Sequence, residues 1–370
     1  MKIGIITLPL RLNYGGILQA YALQTILQRM GHEVQVINPP QGKYVLQSRF
    51  KSLIHFKRFL LNKLGKSNIP VYAEELLNTQ WPIISQHTQS FIDNKINVLK
   101  CQYSKVPQGE FEVLVVGSDQ VWRPAYSNLY QCFLKFAESW SVKRIAYAAS
   151  FGTDEHEYTE DQIKECGRLI SKFDAISVRE RSGVDLCKDY FNRDAEWVLD
   201  PTLLLHKEDY IHLFKDKVKE KSPGNLLVYI LDENEHKRNL IADLAKSKGL
   251  SPFNVKSKSD EKYAPVEDKI QPPVEEWLRG FYDADFVITD SFHACAFSII
   301  FRKPFLVFAN ESRGLTRLYS LLIPLGIDDR IITKDTNFYH LKDIDFENLK
   351  LKLEQRISSS KSFLKKNLYG

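Results

Sequence analysis

The 370-residue chain lacks the residue patterns that build most metal, disulfide and membrane architectures. Its five cysteines, Cys101, Cys132, Cys166, Cys187 and Cys295, form no CxxC pair and no Cys/His ligand spacing, and their number is odd. Free thiols in a reducing cytoplasm are therefore expected, with no metal site. No stretch approaches the roughly 20 apolar residues that span a bilayer. The opening run "MKIGIITLPLRLNYGG" is broken by Pro9, Arg11 and Asn13 too early for a signal peptide. The net charge of +5 is too small to single out a nucleic-acid partner. Walker A and GxGxxG loops are missing, as is any Ser-His-Asp order, so no nucleotide cofactor is expected. One absence is local. No acidic residue lies between Glu33 and Glu74, although Lys43, Arg49, Lys51, Lys57, Arg58, Lys63 and Lys66 do.

What is present is an alternation of short β-branched runs with longer helix-patterned segments, the mark of an α/β fold with parallel sheets. The first strand is Lys2–Thr7, followed by a helix from about Ile17 to Met30 closed by Gly31. "HEVQVIN", "FEVLVVG" (111–117), "RIAYAAS" (144–150), "AISV" (175–178) and "WVLD" (197–200) read as further strands. The composition then changes. Residues 206–225 are charged, end in Ser-Pro-Gly and read as a linker between domains 1–205 and 226–340. The second unit opens with "LLVYIL" (226–231) and a helix near 235–248. A helix at 274–282, a strand at 285–289 and the strand "PFLVF" (304–308) follow. Residues 341–370 carry an amphipathic helix expected to pack back on the first domain. Two such Rossmann-like halves imply a central cleft, with ligands at the carboxyl ends of strands.

Four loops at those ends carry chemistry. In "NYGG", Asn13, Tyr14, Gly15 and Gly16 precede a helix, and the glycines allow a ligand close to backbone N–H groups. In "VVGSDQVW", Gly117, Ser118, Asp119 and Trp122 offer a carboxylate, a hydroxyl and an aromatic face, a set suited to a sugar. In "AISVRERSG", Arg179 at a strand end can clamp a carboxylate or phosphate. In "VITDSFHACAFSII", Asp290 or Ser291 can cap a helix while His293 exchanges a proton near neutral pH. Arg313 and Arg317 follow the next strand and can complete a cationic pocket. Each loop taken alone also reads as ordinary turn or core structure.

Taken in order, "NYGGILQAYALQ", "VVGSDQVW", "YAASFG", "ISVRERSG", "VLDPTLLL" and "TDSFHACAFSIIFRKPF" resemble the motifs of the polysaccharide pyruvyl transferase family, from Lys2 to about Phe308. The resemblance implies a two-domain fold like that of GT-B glycosyltransferases. It also implies transfer of a pyruvyl group from phosphoenolpyruvate to two hydroxyls of a sugar, giving a cyclic ketal and phosphate. Phosphoenolpyruvate would be a co-substrate, not a cofactor. The family's motif histidine lies at His293, the implied general acid. Its phosphoenolpyruvate-binding arginine corresponds to Arg179, and a further basic residue corresponds to Arg313. Asp119 is the candidate base. Several members carry Arg-Leu-His where this chain has Ser291-Phe292-His293, so one anion-binding cation is missing locally. Either Arg313 or Arg317 supplies it, or the donor differs.

The family's acceptors are commonly lipid-linked saccharides. The basic stretch between Lys43 and Lys66, interleaved with Phe50, Leu53, Ile54, Phe59, Leu60 and Leu64, reads as a peripheral contact with the inner face of the membrane. An amphipathic helix with one buried face is the alternative. Two other functions compete: a nucleotide-sugar glycosyltransferase of the same fold, and a non-catalytic saccharide-binding protein.

Overall fold

The computed structural model describes residues 1–46, 48–67, 69–259, 261, 264–310, 314–333, 336 and 341–370. In the first half, β1 (Lys2–Ile6) leads through α1 (Tyr14–Arg29) to β2 (Glu33–Ile37). Three helices follow: α2 (Lys51–Lys63), α3 (Ala73–Ile84) and α4 (Gln86–Lys95). Then come β3 (Val98–Leu99), β4 (Val113–Val116), α5 (Leu129–Cys132), β5 (Lys143–Ala149) and α6 (Glu160–Ile170). The half closes with β6 (Ala175–Val178), α7 (Arg181–Phe191), β7 (Glu196–Trp197) and α8 (Lys207–Phe214). Its seven strands run parallel in the order β3-β2-β1-β4-β5-β6-β7.

The second half begins with β8 (Leu226–Tyr229), α9 (Glu235–Lys248), β9 (Pro252–Phe253) and α10 (Val266–Lys269). It continues with α11 (Val274–Asp283), β10 (Phe286–Thr289), α12 (Phe292–Ile300) and β11 (Phe305–Phe308). It ends with α13 (Leu315–Leu325), β12 (Ile331–Ile332) and the long α14 (Phe346–Tyr369). This sheet is also parallel, in the order β12-β11-β10-β8-β9.

The strands read as continuous apolar runs because both of their faces are covered. Every residue of Val113–Val116 and of Phe305–Phe308 is buried. Each sheet has one point where the chain order reverses, between β1 and β4 in the first and between β8 and β10 in the second. Loops diverge there, leaving a crevice at the carboxyl ends. The two crevices face each other.

Several boundaries differ from the sequence expectation. Helix α1 starts at Tyr14 rather than Ile17, because Asn13 Oδ1 accepts the Gly16 N–H at 3.3 Å and draws both glycines into the first turn. The strand expected over 197–200 stops at Trp197, because Asp200 turns the chain by accepting the Thr202 N–H at 3.0 Å. The charged stretch 206–225 is not a bare linker. It holds α8, whose Tyr210 is fully buried and whose Asp209 pairs with Arg29 at 2.6 Å.

The halves are tied by specific bonds. Tyr14 Oη donates to the Pro272 carbonyl at 2.7 Å, the Arg181 N–H donates to Ser320 Oγ at 2.9 Å, and the Ser182 and Thr316 hydroxyls lie 3.0 Å apart. Helix α14 returns to the first sheet, where Ser360 Oγ accepts the Leu199 N–H at 3.0 Å and Phe363 meets the Tyr147 ring.

Candidate active site

The crevice between the halves divides into two adjoining chambers of about 130 and 350 Å³, and His293 and Ser291 line both. The loops after β1, β4, β8 and β10 supply their walls, as the topology requires.

The first half contributes a buried charged network. Val116 ends β4, and Gly117 follows at φ 129°, where a Cβ would stand 2.0 Å from the Tyr147 carbonyl oxygen, so only glycine fits. Asp119 adopts a left-handed φ of 75°. Its Oδ1 accepts from Arg179 Nη2 at 3.3 Å and from the Gln120 N–H at 2.9 Å. Arg179 Nη1 donates to Asp200 Oδ2 at 2.7 Å, and Ser118 Oγ lies 3.0 Å from the same oxygen. Asp200 Oδ1 accepts from the Thr202 N–H and hydroxyl. Burial alone would raise the Asp200 carboxyl, but His293 and Arg179 together hold it well below the usual carboxylate range.

The second half contributes the imidazole. His293 lies in the first turn of α12, a helix with no side-chain cap. Neither expected cap serves the helix. Asp290 accepts from the Leu231 and Asp232 N–H groups and from Lys237 Nζ at 2.7 Å, while Ser291 makes no capping bond. The N-terminal N–H groups of α12 therefore remain available for an anion. His293 Nε2 is buried, has no hydrogen-bond partner among the described residues, and lies 3.6 Å from Asp200 Oδ2, an electrostatic contact beyond bonding distance. The ring rests on α1: a Cβ on Gly15 would fall 2.1 Å from His293 Nδ1. A Cβ on Gly16 would meet only ordinary contacts at 3.6 Å, from Asn13 and Asp119 Oδ2.

Arg317, in α13, is buried and lines the smaller chamber with Ser291. Burial, and then the charge of Arg179, push its guanidinium down to about 10. The Phe292 ring separates the two arginines, 4.5 Å from Arg179 and 5.9 Å from Arg317. Arg313 lies outside the described residues.

The structure thus brings together Asn13, Gly15, Asp119, Ser291, His293 and Arg317 on the chamber walls. Others sit behind those walls. Arg179 does not present an open clamp, because two carboxylates already engage its terminal nitrogens in a buried setting. Trp122 is fully buried, stacks on Phe133 at 5.0 Å and offers no face to a sugar. Tyr14 is buried against Trp277, and Gly117 and Ser118 are sealed beneath the chamber floor.

Three participants escaped the sequence reading. Asp200 was visible as an acid placed after an apolar strand and before proline. Phe292 looked like core. Trp81 of α3, which lines the larger chamber with Arg11, Lys256 and Trp277, comes from a segment with no strand-end signal. Among the described residues no group of three His, Cys, Asp or Glu is placed to hold a metal ion.

The fold is a pair of parallel α/β sheets with a crevice lined by both. Over its whole length the chain resembles the UDP-GlcNAc 2-epimerase of Methanocaldococcus jannaschii, with 12% identity, all of both chains covered and a TM-score of 0.49. It also resembles the Escherichia coli heptosyltransferase WaaC with ADP (11%, 96% of this chain and all of that one, 0.40). The Acinetobacter baumannii MurG is similar too (11%, 98% and 94%, 0.39). No curated protein matches the chain. The family model described as polysaccharide pyruvyl transferase matches residues 13–312, and the chain belongs to that family.

Proposed function

We propose that the protein transfers a pyruvyl group from phosphoenolpyruvate to two hydroxyls of a sugar in a cell-surface polysaccharide precursor, forming a cyclic ketal. The observation that carries this reading is His293. It is an imidazole at an uncapped helix N-terminus, backed by a buried carboxylate and shared by two chambers of unlike chemistry.

The smaller chamber suits the donor. Phosphoenolpyruvate brings a carboxylate and a phosphate, and Arg317 together with the α12 N-terminus offers a cation and directed N–H groups. Arg317 lines the same chamber as Ser291, so it can supply the charge that relatives carry at that position. The larger chamber suits the acceptor. Trp81 offers a ring to a pyranose face, with Gln271, Asn13 and Lys256 as polar partners for hydroxyls.

His293 has Nε2 turned to Asp200, which leaves Nδ1 to exchange a proton with a ligand. In the first step that proton passes to the methylene carbon of phosphoenolpyruvate, making C2 an oxocarbenium centre. A sugar hydroxyl attacks C2 and its proton passes to a base, for which Asp119 on the chamber wall is the candidate. Phosphate then leaves with the C2–O bond pair and takes up one proton. The second hydroxyl attacks the new oxocarbenium carbon, loses its proton and closes the ring. One proton is fixed on carbon, two leave the sugar and one departs on phosphate, so the sum balances. Arg179 acts as a positioning residue that pairs with both Asp119 and Asp200.

Phosphate release from phosphoenolpyruvate across a panel of lipid-linked and aryl glycosides, galactosides first, tests the reading. Release is expected only with an acceptor and only with His293 intact. Cleavage of a sugar nucleotide instead would assign the chain to the glycosyltransferases. Sugar binding without turnover would make it a saccharide-binding protein.

A further inference from the structure

Most of the large apolar side chains left exposed in the described residues lie between Tyr44 and Ile83. They concentrate on α2, which buries none of its residues. Phe50, Leu53, Phe56, Leu60 and Leu64 fall at three- and four-residue steps, and so form one stripe along the outer side. Leu53 is 63% exposed, Phe56 58% and Leu64 65%. The inner side is fixed. Arg58 forms a two-pronged pair with Glu74 at 2.8 and 2.9 Å, Asn62 Nδ2 donates to the Ile69 carbonyl, and the His55 ring meets Tyr72. The stripe is therefore presented by a braced hairpin, α2 against α3.

The charge around the stripe has a single sign. Lys43, Arg49, Lys51, Lys57, Lys63 and Lys66 are exposed, and no acidic residue occurs from position 34 to position 73. This decides between occupants. Protein interfaces are depleted in lysine, whereas here lysines interleave with the apolar residues. A second copy meeting this face symmetrically would oppose cation to cation. An anionic lipid surface satisfies both halves of the pattern: the leucine and phenylalanine rows enter the headgroup boundary while the lysines meet lipid charge.

We infer that the outer face of α2 docks the protein on an anionic bilayer. The hairpin also carries Trp81 into the larger chamber, and Lys269 Nζ and the Gln271 N–H bond it to the second half through Gln80 and the Ile84 carbonyl. The docking hairpin is therefore the same one that lines the larger chamber.

Co-sedimentation with vesicles, using the full chain with neither phosphoenolpyruvate nor sugar present, tests this apart from the catalytic reading. The chain is expected to bind phosphatidylcholine vesicles that contain phosphatidylglycerol at least about tenfold better than phosphatidylcholine alone. Lys57→Glu with Lys63→Glu should weaken that binding by about tenfold or more, given roughly fivefold per basic residue. Phe56→Glu with Leu60→Glu should weaken it comparably by removing the inserted row. All four side chains are exposed, so melting temperatures should match the wild type. Equal binding to both vesicle types, or variants that bind like the wild type, would overturn the inference. So would a dimer in sedimentation velocity that Phe56→Glu dissolves, which would assign the face to a second copy.

Discussion

The two walls of the cleft solve opposite problems with similar side chains. On the first-half wall, Arg179 and Asp200 are buried and answer each other's charge, while Asp119, bonded to Arg179 through Oδ1, reaches the chamber. On the second-half wall, His293 turns Nε2 to Asp200 and leaves Nδ1 for a ligand, and the helix behind it keeps its first N–H groups uncapped. Buried charges that satisfy each other build a scaffold. Groups left with bonding capacity are the ones that can act on a ligand.

Substitutions on the two walls should separate the two kinds of role. His293→Ala should lower acceptor-dependent phosphate release by roughly 10²- to 10⁴-fold, the usual worth of a general acid, with a smaller effect on the melting temperature. Asp200→Ala should do the reverse in emphasis. It leaves the buried Arg179 short of a partner and is expected to cost roughly 3 to 5 kcal/mol of stability, read by denaturant melts. The milder Asp200→Asn tests the charge alone. Because the native Asp200 carboxyl lies below its ordinary value, the unfolded chain binds more protons in acid. The stabilisation is thus fully present above about pH 4 and is lost as pH falls below it. The difference in stability between wild type and Asp200→Asn should shrink across that window.

The adjacent glycines sharpen the same contrast at smaller scale. Gly15→Ala pushes a methyl group into the imidazole and should cost on the order of 10²-fold in turnover through misplacement of His293. Gly16→Ala meets only ordinary contacts and should leave turnover near the wild type, with up to about 1 kcal/mol of added helix stability. The smallest effect is expected at the acceptor chamber, where Trp81→Ala should raise the acceptor KM several-fold, in keeping with about 1 kcal/mol for one ring contact. The donor KM should stay unchanged.

Much of this was legible in the sequence, for identifiable reasons. Parallel strands buried on both faces leave apolar runs such as Val113–Val116, and strand-to-helix loops leave glycines and polar residues at their ends, so the α/β order and most site loops could be read directly. The partners of a buried charge leave no such trace. Nothing in the spacing of Arg179 and Asp200 says that one neutralises the other, because that pairing depends on how β6 and the turn after β7 sit side by side. The sequence reading therefore gave Arg179 an open guanidinium and Trp122 an open face, and both proved to be enclosed. Trp81 reaches the cleft only because the α2–α3 hairpin folds over it, a tertiary arrangement that no local pattern announces.

The central claim is that His293 delivers a proton to the methylene carbon of phosphoenolpyruvate as the sugar is captured. The most direct measurement is a reaction run in D₂O with phosphoenolpyruvate and an accepted glycoside, followed by mass spectrometry and NMR of the product. The account predicts a cyclic ketal whose methyl group carries one deuterium from solvent, formed together with free phosphate and absent with His293→Ala. A ketal with no deuterium in its methyl group, or phosphate released without any ketal, would contradict it.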